Sequence, residues 1–220
     1  MPSSRIVVCA VLATACWLAS VVLAQPCNGQ IRVNELLADP GIDWNGDTVV
    51  SFKDDEWVEI VNTSATPVDL ANLRLSDGGT RALRYGFSGT LAPGAVRVVY
   101  GSDSVAWESA NSLGSSGLSL NNAGDQVRLW SIAGTDTLLV DSYTYVAFEV
   151  LNDRAPGRVP DGADTWQLFD GLNPYTGSTP PLGTGCNPTP GQRNVCPTPV
   201  EPVTWGDVKR IFAVPEPGPR

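Results

Sequence analysis

The 220 residues contain no histidine. Its absence excludes a Ser-His-Asp triad, a Cys-His dyad and any histidine zinc site from the chemistry open to the chain. Basic residues are also scarce. Fourteen Lys and Arg stand against 23 Asp and Glu, a formal charge of −9, so no basic stripe exists to displace counterions from nucleic-acid phosphates, and no nucleic-acid partner is expected. Beyond residue 24 no apolar run is long enough to span a bilayer.

Residues 1–24 read as a secretory signal: Arg5 is the positive start, residues 6–23 the apolar stretch, and Val22-Leu23-Ala24 a small-residue cleavage site. Its removal takes away one positive charge, so the net charge goes from −9 to −10. The reading predicts a secreted or cell-surface protein with no transmembrane segment in its mature form. Of the five cysteines, three would survive processing: Cys27, Cys186 and Cys196. An oxidising compartment predicts one disulfide and one cysteine left over. Cys186 with Cys196 would staple a Pro/Gly-rich segment and contribute about 3 kcal/mol by loop closure; Cys27 with Cys196 is the rival, and spacing does not choose.

What is present is a grammar of short alternating strands. In residues 55–77, DEWVEIVNTSATPVDLANLRLSD, Val58 and Ile60 share one face while Trp57, Glu59 and Val61 share the other. A turn rich in Asn, Thr, Ser and Pro leads to Leu73 and Leu75. A first strand is expected over residues 31–37, with Ile31, Val33 and Leu37 toward the core, and others carry Leu83, Tyr85 and Phe87, then residues 96–100. Residues 101–117 read as a loop with at most one helical turn. Leu118–Leu120 reads as a hairpin partner of residues 126–130. Residues 137–146 form the longest strand, with Leu138, Val140, Ser142 and Val146 on one face and Tyr143 and Tyr145 on the other. Residues 147–163 read as loop, residues 165–168 as a last short strand, and residues 171–202 as an extended wrap and linker. Trp205, Val208 and Phe212 mark a short amphipathic helix in the tail. The fold class expected is all-β, an antiparallel sandwich with a Pro/Gly-rich C-terminal tail.

Residues 43–54, DWNGDTVVSFKD, place oxygen ligands at relative positions 1, 3, 5, 9 and 12: Asp43, Asn45, Asp47, Ser51 and Asp54. A hard cation collects six or seven oxygens from such a tightly wound loop, with the Val49 carbonyl at position 7 and Val50 as an apolar anchor at position 8. The segment resembles EF-hand and dockerin-type calcium loops. It departs from them at position 6, where Thr48 replaces glycine, and in lacking flanking helices. Calcium would bind at the weak extracellular end, on the order of 0.1–1 mM.

Glu35, Glu56 and Glu59 are expected in edge or rim ion pairs with Arg32 or Arg74. Asn62-Thr63-Ser64 fits a glycosylation sequon, but in a turn it is expected to make local backbone hydrogen bonds. Trp107, Trp130 and Tyr145 are candidate stacking residues whose commoner fate is packing.

The motifs, in order, resemble the lamin tail domain family. They are Ile31-Arg32-Val33-Asn34-Glu35, Glu56 to Asn62, Val68 to Asp77, Leu91-Ala92-Pro93-Gly94, Leu118-Ser119-Leu120 with Gly124 to Leu129, Val140-Asp141-Ser142-Tyr143, Pro160-Asp161-Gly162, Trp166, and Thr189 to Asn194. The resemblance implies an immunoglobulin-like sandwich over residues 25–196 that is non-catalytic and used for interaction or architecture. The partner it implies is an extracellular or cell-envelope protein or glycan. Two other functions remain open: a metal-dependent hydrolase using Asp43, Asp47, Asp54 or Glu56, and a carbohydrate-binding module with aromatics coplanar on one sheet face.

Overall fold

A computed structural model describes residues 30–78 and 82–196. The expected signal sequence, Cys27 and the tail segment at residues 203–212 lie outside the described residues. Among the described residues no helix is long and apolar enough to cross a membrane.

Among the described residues eleven strands and two short helices follow one another: β1 (Ile31–Leu37), β2 (Trp57–Asn62), β3 (Val68–Asp69), β4 (Leu73–Ser76), β5 (Leu83–Gly86), β6 (Thr90–Leu91), β7 (Val96–Tyr100), α1 (Gly101–Ala110), β8 (Gly124–Ala133), β9 (Asp136–Val146), α2 (Ala147–Val150), β10 (Ala155–Arg158) and β11 (Trp166–Phe169). A five-stranded sheet, β11-β10-β1-β2-β7, packs on a four-stranded sheet, β5-β4-β8-β9, and β3 pairs with β6 beside them. All strand pairs are antiparallel, and the architecture is an immunoglobulin-like β-sandwich. Its main core joins Ile31, Val33, Leu36, Val58, Ile60 and Val99 of one sheet to Leu73, Leu75, Val127 and Leu129 of the other.

Bulges account for the strand faces that simple alternation assigns differently. In β1 the pairing runs Val33 with Ile60 and then Glu35 with Glu59, so Asn34 is an extra residue. The bulge turns Leu36 into the main core and sends Leu37 to the opposite face, where it meets Trp57. In β9 the partners step from Asp141 to Leu139 while β8 steps from Leu129 to Trp130. Val140, Tyr143 and Tyr145 consequently pack on the core, whereas Leu138 and Val146 are exposed.

Three other segments differ from expectation. Residues 101–110 form a full helix, whose start is fixed by Asp103 accepting the Tyr100 N–H at 3.0 Å; its Gly and Ser content hides it from periodicity. Leu118 and Leu120 are buried but form no strand, because β8 pairs with β9 and β4 instead. Residues 155–158, Ala-Pro-Gly-Arg, form a central strand despite two residues that disfavour one. Gly157 lies opposite Glu35, and a Cβ there would stand 2.8 Å from the Phe169 ring and 3.0 Å from Glu35 Cγ. The extended wrap is present: residues 182–184 run along β11, with the Leu168 N–H donating to the Leu182 carbonyl and the Thr184 N–H to the Leu168 carbonyl, each at 2.9 Å.

Candidate functional site

The outer face of the five-stranded sheet, turned away from the main core, carries both groups of candidate residues. Leu37, Trp57, Ala155 and Phe169 form a second, small apolar cluster there. Two segments cover it: the acidic loop, through Trp44 against the edge of Trp57 at 6.1 Å, and a strap closed by a disulfide between Cys186 and Cys196, Cα atoms 5.8 Å apart.

The acidic loop winds around Asp43. Its Oδ1 accepts the N–H groups of Gly46 (2.7 Å) and Asp47 (3.2 Å), and its Oδ2 accepts that of Thr48 (2.8 Å). Asn45 Oδ1 accepts the Asp47 N–H at 2.9 Å, and Asp47 Oδ1 that of Val49 at 2.8 Å. Ser51 Oγ donates to Asp54 at 3.1 Å. Thr48 sits at φ +76°, the left-handed region that glycine would occupy at position 6 of a calcium loop. Val50 is 56% exposed and so is not the apolar anchor expected of position 8. The fully buried residue is Asp55, which pattern reading passed over: its carboxylate accepts the N–H groups of Trp44, Asn45 and Ser51 at 2.7–3.0 Å and ties the loop's ends together. Among the described residues no three carboxylates converge as a metal cluster.

Glu35, Glu56 and Glu59 are not rim residues. Glu35 and Glu59 are fully buried, Glu56 nearly so, and none of them is in an ion pair among the described residues. The two arginines expected to partner them are used elsewhere, Arg32 on Asp141 and Asp164, Arg74 on the Ala71 and Leu73 carbonyls. Facing each other across β1 and β2, Glu35 and Glu59 instead hold the strap. Glu35 accepts the Thr189 N–H at 3.1 Å and its hydroxyl at 2.8 Å; Glu59 accepts the Gly191 N–H at 2.7 Å. Asp161 accepts the Asn194 N–H at 2.9 Å. The bulge residue Asn34 completes the network by donating to Glu59 (2.8 Å) and Asp161 (2.9 Å) while accepting the Gly162 N–H.

Burial, above all, keeps the Glu35 and Glu59 carboxyls protonated to unusually high pH. The Glu35 pKa is raised well above the ordinary range by burial and then by Glu59, and that of Glu59 is pushed up to about 7 by burial despite its hydrogen bonds. The backbone freed by the β1 bulge is also satisfied. The Val33 N–H donates to Asp141 at 3.0 Å and the Val33 carbonyl accepts Arg158 Nε at 2.7 Å. Motifs far apart in the chain, Val33-Asn34-Glu35, Asp161-Gly162 and Thr189 to Asn194, thus meet in one hydrogen-bonded clasp.

The other candidates separate. Asn62 is buried, and its Nδ2 donates to the carbonyls of Thr66 and Leu91, so the sequon asparagine serves its turn. Tyr145 lies in the core, Trp107 packs beside Tyr85 on α1, and Trp130 donates to Ser76 on the four-stranded sheet. These three do not share one open face.

No curated protein matches the chain. The Lamin Tail Domain family profile matches residues 24–147, which contain β1 through β9; the motif resemblance runs further, through β10 and β11 to the strap. The profile spans more than half of the 220 residues, and with the immunoglobulin-like sandwich it carries the assignment: the chain belongs to the lamin tail domain family.

Proposed function

We propose that the chain acts outside the cytoplasm, secreted or at the cell surface, as a non-catalytic interaction module whose acidic loop takes up calcium. The family supports the non-catalytic reading. So does the use of the buried carboxyls Glu35 and Glu59, whose oxygens are engaged by the strap and Asn34. The observation that carries the calcium reading is Thr48 at φ +76°: the loop adopts the position-6 bend without the glycine that usually permits it. The donors would be Asp43, Asn45, Asp47, the Val49 carbonyl, Ser51 and Asp54, a hard-oxygen set suited to calcium. Bound there, calcium would supply structural stiffening and local positive charge.

Calorimetry on the full chain tests this. With a Kd on the order of 0.1–1 mM, 10 mM calcium should stabilise the fold by about 1.4–2.7 kcal/mol, reversed by EDTA and lost in Asp43→Ala. An unchanged melting temperature in calcium refutes the calcium reading. Capture from native cell envelopes, with and without residues 203–220, tests for a protein or glycan partner.

A further inference from the structure

The sandwich covers most of its own sheet edges. Residues 182–184 run along β11, and α1 lies against β5, where the Ser104 hydroxyl donates to the Arg84 carbonyl at 2.6 Å. β7 has only five residues and turns directly into α1. Nothing comparable lies on β9, the longest strand, which is paired with β8 on one side and with no strand on the other. Among the described residues no backbone bond leaves residues 136–145 except toward β8. We propose that this open edge pairs antiparallel with the same strand of a second copy of the chain, joining the two four-stranded sheets across a two-fold axis.

The bulge at Val140 divides β9 into a covered part and a free one. From Asp141 onward the strand lies against the other sheet, with Asp141 accepting the Val33 N–H at 3.0 Å and pairing with Arg158 at 3.1 Å. Residues 136–139 stand clear of it, and Leu138 and Leu139 are 47% and 44% exposed. An edge strand that must stay single is blunted by lysine, proline, brevity or a bulge. Residues 136–140, Asp-Thr-Leu-Leu-Val, have no lysine or proline. The one bulge sits at the covered end, so the register with β8 is regular from Asp136 to Leu139.

The spacing of side chains and charges selects a second copy. A two-fold axis through Leu139 sets that residue against itself and Leu138 against Val140, apolar against apolar. Leu139 is the cross-strand partner of Trp130, which lines a hollow of about 160 Å³ with Leu83, Ile132 and Thr137, so one apolar strip continues across the axis. Two chains of charge −9 would repel if their carboxylates met. Asp141, however, is already paired with Arg158, and Asp136 lies three residues from the axis. The two copies of Asp136 therefore stand about 20 Å apart, beyond the ~10 Å Debye length of 0.1 M salt. Each lands near Ser142 of the other copy, and across the ladder from Ser142 is Arg128, a cation in no ion pair among the described residues.

The free backbone N–H and C=O groups of the edge supply the hydrogen bonds, and the leucines supply the apolar contact. So short a paired segment does not bury the roughly 1,000 Å² of a stable interface. The dimer is accordingly weak, with a Kd on the order of 0.1 mM.

Sedimentation equilibrium on the full chain, from about 10 μM to about 1 mM so as to bracket that Kd, should show a monomer passing to a dimer. Leu139→Lys sets a charge on the axis against its own copy and should weaken association at least about tenfold. Leu139 is exposed, so the variant should fold. Leu139→Cys in a Cys27→Ser background, with an added oxidant, should give a covalent dimer, because residues opposite each other on antiparallel strands have Cβ atoms about 5 Å apart. Phe52→Cys in the same background, exposed but away from the edge, should not. A chain that stays monomeric at the highest concentration overturns the pairing, as does a dimer that Leu139→Lys leaves unchanged. In hydrogen exchange, the N–H groups of residues 137–140 that point away from β8 should slow as the concentration rises. Full protection at the lowest concentration, where the chain is monomeric, would mean that another part of the same chain covers the edge, and overturns it too.

Discussion

The two faces of the five-stranded sheet are held by different physics. Its inner face meets the four-stranded sheet mainly through apolar side chains, Val33, Leu36, Val58 and Ile60 against Leu75, Val127 and Leu129, with Asp141 of β9 as a polar link at one edge. Its outer face has only a small apolar cluster around Trp57. There the cover is fixed by a disulfide and by carboxyls that accept hydrogen bonds from strap backbone and side chains. Non-directional burial holds the inner layer and tolerates conservative repacking. The outer layer depends on particular donors and acceptors meeting, so it is specific and also sensitive to pH.

Substitutions in the inner layer should have the largest effect. Leu129→Ala in the main core should cost about 2–5 kcal/mol in denaturant unfolding and destabilise the whole domain in one transition. Replacing Cys186 and Cys196 together by serine should cost about 3 kcal/mol, with the loss concentrated in the strap; hydrogen exchange would show the Thr189 and Gly191 N–H groups opening while β2 and β8 stay protected. Thr189→Val removes one donor to buried Glu35 at similar volume and should cost about 1–3 kcal/mol. An effect of Thr189→Val as large as that of Leu129→Ala would erase the distinction between the faces.

The same comparison can be made with pH, and the sign of that effect follows from linkage. The folded-state pKa values of Glu35, Glu56 and Glu59 are raised above the unfolded value. The folded chain therefore keeps protons that the unfolded chain has released, and stability is lost as the pH rises from about 4.3 toward 8. The melting temperature should fall across that window, and Glu59→Gln should flatten the fall.

Much of the inner layer was legible in the sequence because it obeys a period of two: Val58 with Ile60 and Leu73 with Leu75 alternate and are buried as expected. Alternation fails where one residue is inserted. Asn34 in β1 and Val140 in β9 each shift the faces beyond them, and nothing local announces a bulge. The Cys186–Cys196 bridge was one of two pairings the spacing allowed. Glu35 and Glu59 were readable as strand residues but not as buried ones, because Thr189 and Gly191, which satisfy them, lie more than 130 residues away. Asp161, Thr189 and Asn194 stood in motifs whose purpose emerges only when they meet. Asp55 had a local signal, an acid just before a strand entry, but Asp54 beside it fitted the ligand spacing better.

The outer face is held by a buried carboxyl clasp. The most direct test of that clasp is a ¹³C NMR titration of the Glu35 and Glu59 side-chain carboxyls in the full chain. The structure predicts a midpoint near 7 for Glu59 and one well above the ordinary range for Glu35. Midpoints for both at the value of an exposed glutamate, about 4.3, would contradict it.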